Sequence, residues 1–470
     1  MQPLRNTLVG LATGLLVMSG VLPCARGGPT LATLISFGIT NGAKPSAGLL
    51  QGPDGAFYGT TQIGGSNNWG TVFKITSAGT FSNLFFFTGT GGAYPGANPG
   101  ASLIWGANGV LYGTTEGGGV HDFGTVFALT TNGLFTSLIS FTGTNGAWPG
   151  NYPVAGLVWG TNGNLYGTTA FGGTNDNGSV YELTTNGVFT SLISFNGTNG
   201  PPLGAQPYAR LLLGKDGNFY GTTQSGGTND LLNGDGLGDG TLFRMTEAGA
   251  LTTLISFNAA NGAKPQAGLV QGVDGNFYGT AYYGGSQGAG TLFKMTSGGV
   301  LTPLLSFNNT NGANPNASLI QGLDGSFYGT TQVGGAANYG TIFQLSPAGK
   351  LTSLISFGGT NGADPVAELT QGIDGNFYGT TGSGTTSPQG TVFHFPPPPL
   401  FLKWWQTNGM MVFTWSAAIG QTYQVQFKTN LNQTGWNDLG GVMNATNPIT
   451  MGSDPVGPGP RRLYRVGLLP

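Results

Sequence analysis

Residues 216–223 read Asp216-Gly217-Asn218-Phe219-Tyr220-Gly221-Thr222-Thr223. A tight Asp-Gly turn leads into a short aromatic and β-branched run, the pattern of a hairpin and its second strand. The tetrapeptide YGTT, or a close variant, begins at Tyr58, Tyr112, Tyr166, Tyr220, Tyr278, Tyr328 and Tyr378, with spacings of 54, 54, 54, 58, 50 and 50. After each copy comes a Gly-rich loop, then a GTVF-like run starting at Gly70, Gly124, Gly178, Gly240, Gly290, Gly340 and Gly390. Six of these runs are followed, 17 residues on, by the Phe that ends an LTSLISF-like segment: Phe87, Phe141, Phe195, Phe257, Phe307 and Phe357. Each unit therefore holds four short strands, an ASLIQG-like one, then NFYGTT, GTVFKLT and LTSLISF. No helical periodicity extends over ten residues, so the class is all-β.

Four-stranded units of about 50 residues, repeated seven times, predict a seven-bladed β-propeller. The ends of the array favour a ring over a β-helix or other solenoid, which would want polar caps. The seventh unit stops after its third strand, Gly390 to Phe395, and the missing fourth strand stands at the other end, Leu31 to Phe37. An N-terminal strand that completes the last blade leaves no sheet edge open.

Composition agrees with an ordered repeat. Gly makes up 89 of 470 residues, but the glycines are periodic, and 39% of residues are hydrophobic. Only 7% are charged, against a usual ~25%. With a net charge of −2 and no basic stripe, nucleic acid is excluded as a partner. At the N-terminus, one positive charge, an apolar stretch from Asn6 to Leu22 and Ala25-Arg26-Gly27 predict an export signal over 1–27. A retained membrane anchor is the alternative, though about 17 residues is short for a span. A lipoprotein site at Cys24 is disfavoured by Pro23 before it. Nothing later reaches the ~18 apolar residues of a transmembrane helix. The expected address is secreted, or the outer surface of a bacterial cell, and the expected state a monomer.

The DGNFYGTT, GG and GTVFKLT segments resemble the GloVer (Gloeobacter/Verrucomicrobia) tandem repeat of exported bacterial proteins, over about residues 30–395. The resemblance implies the repeat and little about activity. Pro396 to Pro399 form a stiff linker. Beyond them, alternation in Met411–Trp415, Tyr423–Phe427 and Leu463–Val466 predicts a small β-sandwich over 400–470. The run GQTYQVQFKTNLNQTGW resembles a fibronectin type III-like module, which implies attachment or spacing.

Catalytic motifs are sparse. His121 and His394 fall in different repeats, and no GxSxG, HExxH or phosphate-loop pattern is present. Glu116, Glu182, Glu247 and Glu368 are scattered, although carboxylates from different blades could still meet. Blade four carries an eight-residue insert in which Asp230, Asn233, Asp235 and Asp239 form a candidate Ca²⁺ site. A solvated acidic loop is the alternative. The connections Phe87–Leu103, Phe141–Leu157 and Phe195–Leu211 are each four residues longer than the others. These loops share a face with the blade-four insert and place Tyr94, Trp148, Tyr152, Tyr208 and Arg210 there. Trp105 and Trp159 replace the Gln of other inner strands. Exposed aromatics among Asn and Gly suit sugar stacking or a protein hot spot, or they plug wider loops. The expectation is a non-enzymatic propeller that binds an extracellular polysaccharide or surface protein. A glycan-active enzyme and a purely structural surface protein are the alternatives.

Overall fold

The computed structural model describes residues 29–107, 109–230, 236–430, 432–455 and 462–469. The expected export signal, 1–27, lies outside them. The chain divides into two compact units.

The larger unit, Leu31–Gly372 with Phe377–His394, is a β-propeller. Its described residues form seven four-stranded antiparallel sheets, each here called a blade. Blade one is Leu50–Gln51, Phe57–Thr61, Thr71–Ile75 and Phe81–Phe86, paired in chain order. The last blade consists of Thr370–Gln371, Phe377–Thr381 and Thr391–Phe395, and its fourth strand is Ala32–Ser36 from the chain's other end. The register Ala32↔His394 to Ser36↔Thr391 fixes that closure. Among the described residues no helix is long and apolar enough to cross a membrane.

The repeated motif is a set of packing instructions. The Tyr of each YGTT segment meets an aromatic ring of the next blade: Tyr220–Phe277 at 4.0 Å, Tyr278–Phe327 at 4.1 Å, Tyr328–Phe377 at 4.3 Å. Tyr378–Phe57, at 4.0 Å, makes the same contact from the last blade to the first. Such pairs contribute about 0.5–1.5 kcal/mol beyond burial. The first Thr of the motif donates across the same boundary: Thr60 to Ala101 O at 3.3 Å, Thr222 to Ala267 O at 3.2 Å, and Thr380 to Ala47 O at 3.3 Å. The second Thr bridges two strands of its own blade, as Thr223 Oγ1 does to Thr241 Oγ1 at 2.7 Å. Between Tyr and Thr only glycine fits. A Cβ on Gly221 would lie 2.5 Å from Phe243 Cζ and 2.8 Å from Leu211 Cδ2, inside the blade's own core.

The smaller unit, Phe395–Pro470 with Ile373–Asn376, is a β-sandwich. One sheet orders Phe401–Thr407, Met410–Ser416 and Ile449–Pro455, and the other gathers Asn437–Asp438, Met443–Asn444 and Leu463–Leu468 around Thr422–Lys428. Phe413, Trp415, Tyr423, Val425 and Tyr464 fill the space between them. Arg462 clamps the buried Asp454 at 2.7 and 2.6 Å, and Tyr464 also donates to it.

Candidate functional site

Within a blade the chain runs in by a connection, out and back along the four strands, and leaves by the next connection. Connections and strand-two-to-three loops therefore share one end of the ring, and strand-one-to-two turns lie at the other. Each connection enters the blade through a residue in the left-handed region followed by Pro-x-Ala-x. The entry residues are Lys44, Asn98, Tyr152, Gln206, Lys264, Asn314 and Asp364, with φ between 52° and 61°. Their carbonyls accept the N–H that follows strand two, as Asn98 O does from Glu116 N at 3.1 Å and Tyr152 O from Ala170 N at 3.0 Å.

The x-Ala-x segments of all seven blades line one pocket of about 380 Å³, which therefore sits on the ring axis. This volume lies within the ~300–1,000 Å³ of small-ligand sites. The third residue of these segments is Gly48, Ser102, Gly156, Gly268 or Ser318 in five blades, but Arg210 in blade four and Glu368 in blade seven. After strand two the chain has Gln62, Ala170, Gln224, Tyr282, Gln332 or Gly382, but Glu116 in blade two. At the entry position only blade three has an aromatic, Tyr152. The first x is Tyr208 only in blade four. All five departures line the pocket.

They fall into two linked groups. Glu368 Oε2 lies 3.7 Å from Arg210 Nη2, and its Oε1 accepts from Ser102 Oγ at 3.2 Å. Ser102 Oγ in turn accepts the Gly48 N–H at 3.1 Å, so blades one, two, four and seven are tied together. Glu116 is buried; its Oε1 accepts from Gln62 Nε2 at 3.0 Å, and Tyr152 hydrogen-bonds to it as well. Burial pushes the Glu116 carboxyl above the ordinary carboxylate range, against the opposing pull of those two hydrogen bonds. Burial, reinforced by Glu116, pushes the Tyr152 hydroxyl up to about 12 and raises that of Tyr208. Gly100, beside Glu116, is a requirement of the site, because a Cβ there would overlap Glu116 Oε1.

Of the residues singled out in the sequence, Tyr152, Tyr208 and Arg210 meet in this pocket. Tyr94 stays on the same end but packs outward, against Phe85 at 4.8 Å and Phe135 at 5.9 Å. Trp148 packs against the core between blades two and three. Both belong to the longer connections, whose extra residues close on themselves through the bridges Gly89↔Gly96 and Gly143↔Gly150. Trp105 and Trp159 lie at the opposite end of the ring, flanking a separate cleft with Tyr112. There they stand edge-on to Tyr58 at 5.1 Å and Tyr112 at 5.5 Å. Their partner residues across the hairpin are Leu111 and Leu165, where the other blades have Phe. Each Trp therefore takes up the inter-blade contact that its neighbouring Leu cannot make. Each indole also donates to the preceding blade, Trp105 to Gln51 O at 3.1 Å and Trp159 to Trp105 O at 2.8 Å.

In the blade-four insert, Asn233 and Asp235 lie outside the described residues. Asp230 Oδ2 accepts from Gly236 N at 2.5 Å, and Asp239 is buried. The Lys264 ammonium donates to Gly238 O at 2.9 Å, bringing a cation of the chain itself to the base of the loop. Among the described residues no three His, Cys, Asp or Glu side chains gather as a metal site. His121 is exposed, while Glu182 and Glu247 brace the opposite end through Asn162, Asn164 and Thr161. Sequence reasoning named Glu116 and Glu368 only among scattered carboxylates that could meet across blades, without placing them in a site. The signal was available, since Glu116 interrupts a position that is otherwise uncharged, and Glu368 and Arg210 interrupt one that is otherwise Gly or Ser.

These features define a β-propeller with a polar, carboxylate-bearing pocket on its axis. The chain belongs to the Gloeobacter/Verrucomicrobia repeat family, whose model matches residues 21–235, 149–296 and 232–445. No protein of curated function matches it. Among solved structures, a lectin from Burkholderia pseudomallei is similar with a TM-score of 0.50 at 10% identity, over 80% of this chain and 96% of that one. A puromycin-hydrolysing peptidase from Mycobacterium tuberculosis gives 0.48 at 9%, over 84% and 62%. A gluconolactonase from Xanthomonas campestris gives 0.39 at 12%, over 81% and 93%. At these identities the likeness speaks for fold alone.

Proposed function

We propose that the protein is an exported carbohydrate-binding propeller whose site is the axial pocket, with the C-terminal sandwich serving as a fibronectin type III-like spacer or attachment module. One observation carries this reading: the five departures from the repeat at its inner positions, Glu116, Tyr152, Tyr208, Arg210 and Glu368, line a single pocket. A ring built from copies of one unit needs none of them for closure. Their chemistry suits a saccharide, since planar polar groups can pair with hydroxyls and phenol rings can lie against sugar rings. Ser46, Gln266 and Asn316 extend the polar lining.

The test is a glycan array probed with the mature chain and with Tyr208→Ala and Arg210→Ala. Binding by the mature chain that both variants lose, with unchanged unfolding temperatures, supports the site. Retained binding in both variants moves the site elsewhere.

A second reading is favoured by one feature. Glu116, whose titration burial raises, and Glu368, beside Arg210, are two carboxyl groups in unlike environments within one pocket. Carboxyl groups in unlike environments are one requirement of a glycoside-cleaving acid and base. Reducing-end release from a bound glycan, abolished by Glu116→Gln, would establish this reading over simple binding.

A further inference from the structure

We propose that the saccharide taken by the axial pocket carries an ammonium group, as an amino sugar does, and that this ammonium pairs with Glu116. The inference rests on the carbohydrate reading of the pocket and names the chemical class within it.

Carboxylates withdrawn from water are normally matched by a cation. Three carboxylates of this chain have such a cation, the exposed Asp54 among them, while the buried Asp324 is held instead by the Gln344 amide and the Tyr328 hydroxyl. Asp54 has Lys74 at 2.7 Å, Glu368 has Arg210 at 3.7 Å, and Asp454 has Arg462 at 2.6 Å. Glu116 is more deeply buried than Asp54, yet its partners are an amide, Gln62, and a phenol, Tyr152. No lysine, arginine or histidine among the described residues forms an ion pair with it.

The other charges of the pocket do not supply the missing cation. Its lining holds one arginine and two glutamates, and the arginine is engaged by Glu368. The lining therefore carries one carboxyl more than it has cations, and a ligand ammonium would match it. An anionic sugar would meet the unmatched carboxylate instead. The surroundings agree: Gly100 makes room for the Glu116 carboxyl packed beside it, and Tyr152 and Tyr208 offer aromatic rings, whose faces attract cations. The serine and amide lining favours a polyhydroxylated amine over an alkyl one.

The pairing has a proton signature. Burial raises the titration of the Glu116 carboxyl and an arriving ammonium lowers it again, so binding releases protons at the acid pH where the free carboxyl is partly protonated.

Calorimetric titration of the full chain with glucosamine oligomers and with their N-acetylated counterparts tests this, run at that acid pH in two buffers of different ionisation heat. The expected result is at least about tenfold tighter binding of the free-amine form, the range of one charge-assisted hydrogen bond, with proton release seen between the buffers. Glu116→Gln should bring the two forms to similar affinity and abolish the proton release. Equal affinity of both forms for the unaltered chain overturns the ammonium inference and leaves the carbohydrate reading standing. An acetyl-lysinamide peptide that binds as tightly as the amino sugar overturns the saccharide class. Absence of binding by any neutral, amino or acidic saccharide overturns the carbohydrate reading itself.

Discussion

The two ends of the ring both depart from the repeat, and they do so in opposite ways. At the end of the strand-one-to-two turns the departures come in pairs. Leu111 and Leu165 leave out a ring that five other blades possess, and Trp105 and Trp159 restore it from the strand beside them. At the connection end Arg210 and Glu368 offset each other, but Glu116 and Tyr152 stand without such a match. A buried carboxyl lacks a matching cation, and a tyrosine occupies a left-handed position that asparagine, glutamine, lysine or aspartate fills in the other blades. Two changes that cancel preserve the fold. Changes that add charge and strain to one pocket, with nothing offsetting them, have to be explained by what the pocket does.

The largest expected effect breaks the compensated pair. Trp159→Gln should destabilise the propeller by about 2–3 kcal/mol, because it empties the contact to Tyr112 while Leu165 remains short. Adding Leu165→Phe should recover most of the loss, and urea denaturation of both variants measures the coupling. Independent, additive losses would mean that the two positions do not compensate each other.

Ligand binding is the next largest effect. Tyr208→Ala and Arg210→Ala should each weaken glycan binding by about tenfold or more, with stability changed by less than about 1 kcal/mol. Arg210→Ala also strips Glu368 of its cation, so its loss should exceed that of Tyr208→Ala.

Smaller still is the pH dependence of stability. The folded carboxyl of Glu116 titrates above its unfolded value of 4.5, so the native state holds a proton that the unfolded chain has released. Stability from this group is then fully present below pH 4.5 and is lost as pH rises toward the folded value. Glu116→Gln keeps the neutral shape, so it should match the unaltered protein at pH 4 and exceed it at pH 7.5. Chemical denaturation at the two pH values decides, and a gain that is larger at the acid end would contradict the assignment.

The smallest effect concerns backbone strain. Tyr152→Asn installs the residue found at Asn98 and Asn314, which tolerates φ near 60°. It should raise stability by about 0.5–1 kcal/mol while weakening ligand binding. Thermal unfolding together with the array separates the two consequences.

The sequence alone determined the repeat, its four strands and the offset that lends Ala32–Ser36 to the last blade. Those features are local and periodic, so hydrophobic alternation and Gly turns announce them many times over. It also placed Tyr152, Tyr208 and Arg210, with Tyr94 and Trp148, on the longer connections of one face. Only the tertiary structure decided what these residues meet. Glu116 and Glu368 stand 252 residues apart in the chain, and closing the ring brings both to its axis. The same closure separated Trp105 and Trp159 from Tyr152. Successive strands reverse direction, so residues a few positions apart lie at opposite ends of the ring.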